Sequence, residues 1–124
     1  MDKSTFSLVL VSVLLSSIAQ IVLKEGMSSA AVHSAAAQGV NLRMAIAIAS
    51  NVKVLCGLLI YFASAAVWLL VLARIAVGFA YPFVGLGFVM TMILAWVVRG
   101  EIPSSAQIVG TLTICLGVTL MARS

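Results

Sequence analysis

The sequence is poor in charge and has almost no acid. Asp and Glu account for only 3 of the 124 residues, and all charged residues together for 8%. None of these acids lies inside the long apolar stretches, and the single histidine lies outside them as well. Carboxylates and imidazoles are the usual proton carriers within a membrane. The sequence therefore lacks an obvious group that could carry protons across one.

Residue types that build most catalytic and metal sites are equally scarce. His33 lies in a polar segment, and the two cysteines, Cys56 and Cys115, lie in apolar runs without metal-ligand spacing. There is no Ser–His–acid constellation and no phosphate-binding glycine loop. We therefore expect no enzyme activity, no catalytic residue, no metal and no cofactor. The cysteines are expected to be small buried hydrophobic residues.

Apolar residues, by contrast, are abundant. They make up 64% of the chain, and its mean hydropathy is +1.27. A soluble chain of this length would leave a large share of these residues in water, so the bilayer must be the solvent for most of them. Single charges divide the chain into runs long enough to cross about 30 Å of hydrocarbon. The expected fold is an all-α membrane domain of four transmembrane helices over residues 1–124.

The four transmembrane helices are predicted at about residues 5–23, 54–73, 77–98 and 104–122. Residues 26–50 form a loop, in which residues 42–49 are either an interfacial helix or an early start of the second span. Asn51 offers an N-cap for the second span, and Ser104 or Ser105 for the fourth. Four crossings place both termini on one side of the membrane. Basic residues are nearly balanced between the two sides, so they do not fix the orientation.

A polar stripe runs along the first predicted helix. Ser12, Ser16, Gln20 and Lys24 follow one another at intervals of four and share one slowly turning face. Gln20 needs a hydrogen-bond partner, because an unpaired amide is costly in hydrocarbon. Two interpretations stay open: the stripe joins helices through hydrogen bonds, or it forms one wall of a polar cavity. Lys24 either extends to the lipid headgroups or binds an anion.

Further candidates lie on the other three helices. Trp68 lies several residues inside Arg74, which favours packing within the bundle over an interfacial position. Tyr81 either belongs to an interfacial aromatic belt or offers its hydroxyl to a ligand, and Pro82 with the nearby glycines predicts a weak point in the third helix. The fourth helix has a face suited to close packing, formed by Ala106, Gly110, Ile114 and Gly117. Because four helices enclose little volume, we expect a dimer with subunit contacts on that face.

The order of several short motifs resembles the drug/metabolite transporter superfamily. Residues 68–72 (Trp-Leu-Leu-Val-Leu) precede residues 77–82 (Val-Gly-Phe-Ala-Tyr-Pro), and Gly100-Glu101 precedes the small face of the fourth helix. In size and helix order the chain is similar to the small multidrug resistance group. Drug exporters of that group carry a glutamate in the middle of helix one, where this chain has Ser16. Proton-coupled drug export by that route is therefore not expected.

The motifs are most similar to the small subunits that flip aminoarabinose-phosphoundecaprenol. The resemblance implies transport of an undecaprenyl-phosphate-linked sugar from the cytoplasmic to the periplasmic leaflet of a bacterial inner membrane. It also implies a homodimer, or a heterodimer with a similar small subunit. Membrane lipids are the other expected partners. Nucleic acid is not expected, because the basic residues are scattered singly.

On this basis the candidate substrate-binding residues are Ser16, Gln20, Lys24, Trp68, Arg74 and Tyr81. Lys24 and Arg74 are suited to a phosphate charge near a membrane face, and the hydroxyl and amide groups are suited to phosphate or sugar. Two other functions stay open. One is export of a small polar or cationic solute without the glutamate. The other is a non-transporting assembly subunit of a glycolipid-modifying complex.

Overall fold

The structure, a computed structural model, describes residues 2–123. Within this range the chain is helical and has no strand. Four of its helical stretches are long and apolar enough to cross a membrane: Lys3–Met27, Val52–Leu72, Val77–Arg99 and Ser105–Arg123. The predicted all-α, four-span fold is confirmed.

Seven α-helices and one 3-10 turn, Tyr81–Phe83, make up the described chain. The helices are α1 (Lys3–Met27), α2 (Ala30–Ala36), α3 (Leu42–Ala49), α4 (Val52–Leu72), α5 (Val77–Ala80), α6 (Val84–Arg99) and α7 (Ser105–Arg123). The second to fourth spans agree with prediction to within two residues. The first extends four residues beyond its predicted end at residue 23, because Lys24 and Glu25 continue the helix at the membrane boundary.

Side-chain caps mark the starts of the first, second and fourth spans. Asp2 precedes α1, and its carboxylate accepts a hydrogen bond of 2.7 Å from the Thr5 amide. Hydrogen bonds with Thr5, and secondarily the charge of Arg74, lower the pKa of the Asp2 carboxyl. Ser104 caps α7, because its hydroxyl accepts from the Gln107 amide at 3.2 Å.

The segment between the first two spans contains one helix that was not predicted, α2, whereas α3 matches the separate helix left open for residues 42–49 within the loop predicted for residues 26–50. It contains α2 and α3, and α3 is a separate helix because Ser50 and Asn51 interrupt the chain before α4. The Asn51 side chain caps α4 as predicted, accepting from the Val54 amide at 3.1 Å. It also donates to the Gly26 carbonyl at 3.2 Å and to the Ser29 hydroxyl at 3.1 Å. Asn51 therefore joins the end of α1 to the start of α4.

The third span is irregular near its start. The 3-10 turn Tyr81–Phe83 separates α5 from α6, and Pro82 is its second residue. Proline has no amide hydrogen to donate and crowds the preceding turn, so a local 3-10 adjustment relieves the helix. The weak point predicted at Pro82 is present.

Two of the spans, α1 and α4, approach each other closely. The Ser12 hydroxyl donates to the Ser64 carbonyl at 3.0 Å, and the Ser64 hydroxyl donates back to the Ser12 carbonyl at 2.8 Å. Further along, Gly57 of α4 leaves room for the side chain of Leu23. Ser12 therefore performs the helix-joining role that the stripe allowed.

Replacing Ser64 by alanine is expected to weaken this pair of helices. The change removes the Ser64 hydroxyl and the bond it donates, and interhelical hydrogen bonds in membranes contribute about 0.6–1.7 kcal/mol. Unfolding in mixed micelles should show a loss of that size. Ser7→Ala is the matched control, because the Ser7 hydroxyl bonds only within its own helix, to the Lys3 carbonyl at 2.9 Å. Equal stability of the two variants would contradict the assigned contact.

The core is small and lies between α1, the end of α4, the start of the third span and the end of α7. It contains Val9, Val13, Val71, Ala80, Phe83 and Val118. Most other large apolar side chains are exposed, as expected for a surface that faces lipid. The prediction of buried cysteines is wrong for Cys56, which is exposed on α4, while Cys115 is half-buried. In a bilayer, lipid can cover a small thiol as well as protein can.

Candidate functional site

A polar groove opens at the membrane face where α1 ends and α7 begins. Its main chamber has a volume of about 670 Å³ and lies between α1, α4, α6 and α7. Apolar side chains and a glycine form part of the wall. The polar lining residues are Ser16, Gln20, Tyr61, Thr91, Glu101 and Gln107. Such a groove offers hydrogen bonds to a polar head inside an otherwise apolar protein.

A second, smaller chamber lies beside the first, on the side of the opposite membrane face. Its volume is about 230 Å³, and Ser12, Ser64, Trp68 and Tyr81 are among its lining residues. The two chambers share three residues, Ser16, Tyr61 and Val84. We call these three the neck. Because α1 runs from one membrane face to the other, the two chambers follow one another across the bilayer.

An apolar recess lies beside this groove, between the third span and α7. It has a volume of about 440 Å³, and its lining includes Pro82, Gly85, Ile114 and Gly117. It shares Val84 with both polar chambers. The described chain thus places the apolar recess next to the two polar chambers.

Charged residues form a layer at the same membrane face as the main chamber, and Glu101 is the member of this layer that also lines the chamber. Arg99 makes a short ion pair with Glu25 and a second one of 3.1 Å with Glu101, and it donates to the Ser28 hydroxyl at 3.4 Å. Lys53 lies 3.9 Å from Glu25. Two acids and two bases leave the layer near neutral. Among residues 2–123, no three metal-ligating side chains converge.

The structure brings together four of the six predicted site residues. Ser16 and Gln20 line the main chamber, while Trp68 and Tyr81 line the smaller one together with Ser16. The Ser16 hydroxyl bonds to the Val13 carbonyl at 2.9 Å. The Gln20 amide is exposed to the chamber and makes no hydrogen bond within residues 2–123, so it is available to a ligand.

The two residues predicted to bind the phosphate, Lys24 and Arg74, line neither chamber of the groove. Lys24 is exposed one turn beyond Gln20, at the main chamber's membrane face. Arg74 lies near the opposite face, where it donates to the Ser4 hydroxyl at 2.8 Å. The two cations are therefore at opposite membrane faces.

The small face of α7 is partly open. A side chain built on Gly110 or Gly117 would meet no atom within 4 Å, and Ala106 is exposed. Ile114 differs, because it packs against Gly85 of the same chain. Three of the four predicted contact residues are thus accessible to a second subunit.

Sequence reasoning missed several lining residues. Tyr61, Thr91 and Gln107 line the main chamber, but none of them belongs to the polar stripe predicted on the first helix. The available signal for Tyr61 was its spacing of three from Ser64 on α4, which places both on one helix face.

Comparison with known proteins identifies relatives of one kind. Over 57 residues the chain is 42% identical to the probable 4-amino-4-deoxy-L-arabinose-phosphoundecaprenol flippase subunit ArnE of Pseudomonas aeruginosa strain LESB58. That match covers 46% of the chain and 50% of the relative, so the chain spans about half the length of that protein. Over 124 residues it is 33% identical to the probable flippase subunit ArnF of Proteus mirabilis, which covers 98% of the chain and 93% of the relative. No family model and no solved structure matches the chain.

Proposed function

Because the chain belongs to the family of 4-amino-4-deoxy-L-arabinose-phosphoundecaprenol flippase subunits, we propose that it moves an undecaprenyl-phosphate-linked sugar of this type across the membrane. The direction is from the cytoplasmic to the periplasmic leaflet. The chain is a multi-pass protein of a bacterial inner membrane.

The observation that carries this proposal is the polar groove within four apolar spans. A lipid-linked sugar has a polar head that hydrocarbon excludes and a tail that hydrocarbon dissolves. The two chambers and their neck provide a polar path for the head. The apolar recess beside them provides a surface for the first part of the tail.

Each of the six predicted binding residues has a role in this proposal, and Lys24 and Arg74 act outside the chambers. Lys24 meets the phosphate at one membrane face and Arg74 meets it at the other, since a cation at each end offsets the phosphate charge where the head enters or leaves. Gln20, Ser16, Trp68 and Tyr81 bind the head between those ends. Gln20 suits this role best, because its amide has no partner within residues 2–123.

We propose further that the chain works as one member of a dimer, either with a second copy or with a similar small subunit. The open face of α7, formed by Ala106, Gly110 and Gly117, provides the contact surface. Small residues on such a face let two helices approach closely. A partner placed there would also close the side of the apolar recess that Gly117 lines.

Deleting the gene in its own host tests the function. The lipid-linked sugar should accumulate in the cytoplasmic leaflet, and re-expression should restore its exposure in the periplasmic leaflet. Exposure can be measured in spheroplasts as oxidation of the sugar diol by a membrane-impermeant reagent. An unchanged leaflet distribution would contradict the proposal. An altered inhibitory concentration of a cationic drug, with that distribution unchanged, would favour solute export instead. Co-purification with a larger enzyme at fixed stoichiometry, again with no change in leaflet distribution, would favour the assembly subunit.

A further inference from the structure

This inference rests on the proposed function and concerns the sugar's amine. The substrate class named for the relatives carries two charges on its head, a phosphate anion and an amine that is protonated near neutral pH. The positive charges of Lys24 and Arg74 complement only the phosphate. A groove that carries such a head gains selectivity if it also meets the ammonium group.

Glu101 is the only carboxylate that lines either polar chamber in the described chain. It stands at the mouth of the main chamber, in the loop between α6 and α7, and its side chain is 53% exposed. Ile102 and Pro103 line the same mouth. Glu101 is therefore the acid that the head meets where it enters or leaves the groove at this membrane face.

The Glu101 carboxylate also has unused capacity. Its Oε2 atom accepts from the Arg99 Nε at 3.1 Å, and its Oε1 atom makes no hydrogen bond within residues 2–123. Arg99 is shared, because it also pairs with Glu25 and reaches Ser28. A carboxylate has about four acceptor positions, so Glu101 can keep Arg99 and accept an ammonium group as well.

We propose that Glu101 binds the sugar's ammonium group at the mouth of the groove and selects amino sugars over neutral ones. Arg99 is a positioning residue, since its Nε donates to the Glu101 carboxylate while Arg99 itself lines neither polar chamber. The alternative is a purely structural role, in which Glu101 only holds Arg99 in place through their ion pair. The two roles differ in one measurable respect. Loss of ammonium binding changes the ratio of the transport rates of amino and neutral sugars, whereas loss of the anchor lowers the transport rates of all substrates by the same factor.

The test uses the protein as isolated from its native membrane, with any small subunit that co-purifies, reconstituted into liposomes. Two lipids with the same polyprenyl phosphate are compared, one with the free amine and one with an N-acetylated amine. Accessibility of the sugar diol to an impermeant oxidant reports transport. The wild-type protein should move the free amine faster by about tenfold or more, as expected for a charge-assisted hydrogen bond.

Glu101→Gln should reduce that ratio to near one, by slowing the free amine and leaving the N-acetylated lipid unchanged. Glu25→Gln is the matched control. Glu25 also pairs with Arg99 but lines neither polar chamber, so this variant should keep the wild-type ratio.

Three results would overturn the proposal. One is equal slowing of both lipids by Glu101→Gln, and another is a wild-type protein that moves both lipids equally fast. The second needs no variant, so it stands even if Glu101→Gln fails to fold. A wild-type protein that moves neither lipid overturns the proposed function itself, and this inference with it.

Discussion

Replacing Ser16 by phenylalanine is expected to stop transport and to leave the protein folded. Ser16 belongs to the neck, so a ring at this position would fill the passage between the two chambers. The serine hydroxyl bonds only to its own helix, at Val13, so its loss breaks no hydrogen bond between helices. We expect transport to fall at least about tenfold, or about 1.4 kcal/mol in activation free energy.

Val11→Phe provides the matched control for this prediction. Val11 lies on the same helix and is 47% exposed, and it lines none of the polar chambers. The added ring would therefore face lipid and should change neither transport nor thermal stability. Full transport by Ser16→Phe in a folded protein would show that the head does not pass the neck.

Replacing Gly26 by alanine is expected to have the largest effect on stability. A Cβ atom at Gly26 would lie 2.8 Å from the Val54 backbone nitrogen and 2.6 Å from its Cγ2 atom. The Val54 backbone cannot move without the rest of α4, so the end of α1 must separate from the start of α4. Overpacking of this kind costs about 1–3 kcal/mol, and it would also strain the Asn51 contacts that join the same two helices.

Gly78→Ala tests whether the effect comes from packing. A Cβ at Gly78 would meet no atom within 4 Å, and alanine is the better helix former by about 1 kcal/mol. Unfolding followed by circular dichroism in mixed micelles should therefore show Gly26→Ala destabilised and Gly78→Ala unchanged or slightly stabilised. Equal stability of both variants would mean that α1 and α4 are not packed as described.

The four spans could be predicted from the sequence because a bilayer imposes a simple requirement. A run of about 20 apolar residues must form a helix that satisfies its own backbone. The predicted end of α1 at residue 23 is too early, because Lys24 and Glu25 mark the edge of the hydrocarbon and not the end of the helix. In fact a helix continues past the hydrocarbon boundary, and Glu25 is held there by Arg99.

The segment between the first two spans was harder to predict. Its alternation of alanine with aliphatic residues fits both a surface helix and the beginning of a span. The decision depends on Asn51, which interrupts the chain before α4 and bonds back to Gly26 and Ser29. Contacts over more than 20 positions in the chain are not visible in local sequence patterns.

For the candidate site, the informative signal was the four-residue spacing of polar side chains along α1. It placed Ser12, Ser16 and Gln20 on one face, but it could not separate their roles. Ser12 meets Ser64 on the neighbouring helix, while Ser16 and Gln20 face open space. The difference depends on where α4 crosses α1, which is a property of tertiary packing.

The most direct test of the central claim is transport of a purified polyprenyl-phosphate aminosugar in liposomes. The protein, as isolated from its native membrane with any small subunit that co-purifies, is compared with empty liposomes and with liposomes that contain the Ser16→Phe form. Oxidation by an impermeant reagent should consume the inner-leaflet sugar rapidly with the wild-type protein and slowly in both controls. Access no faster with the wild-type protein than in empty liposomes would contradict the account.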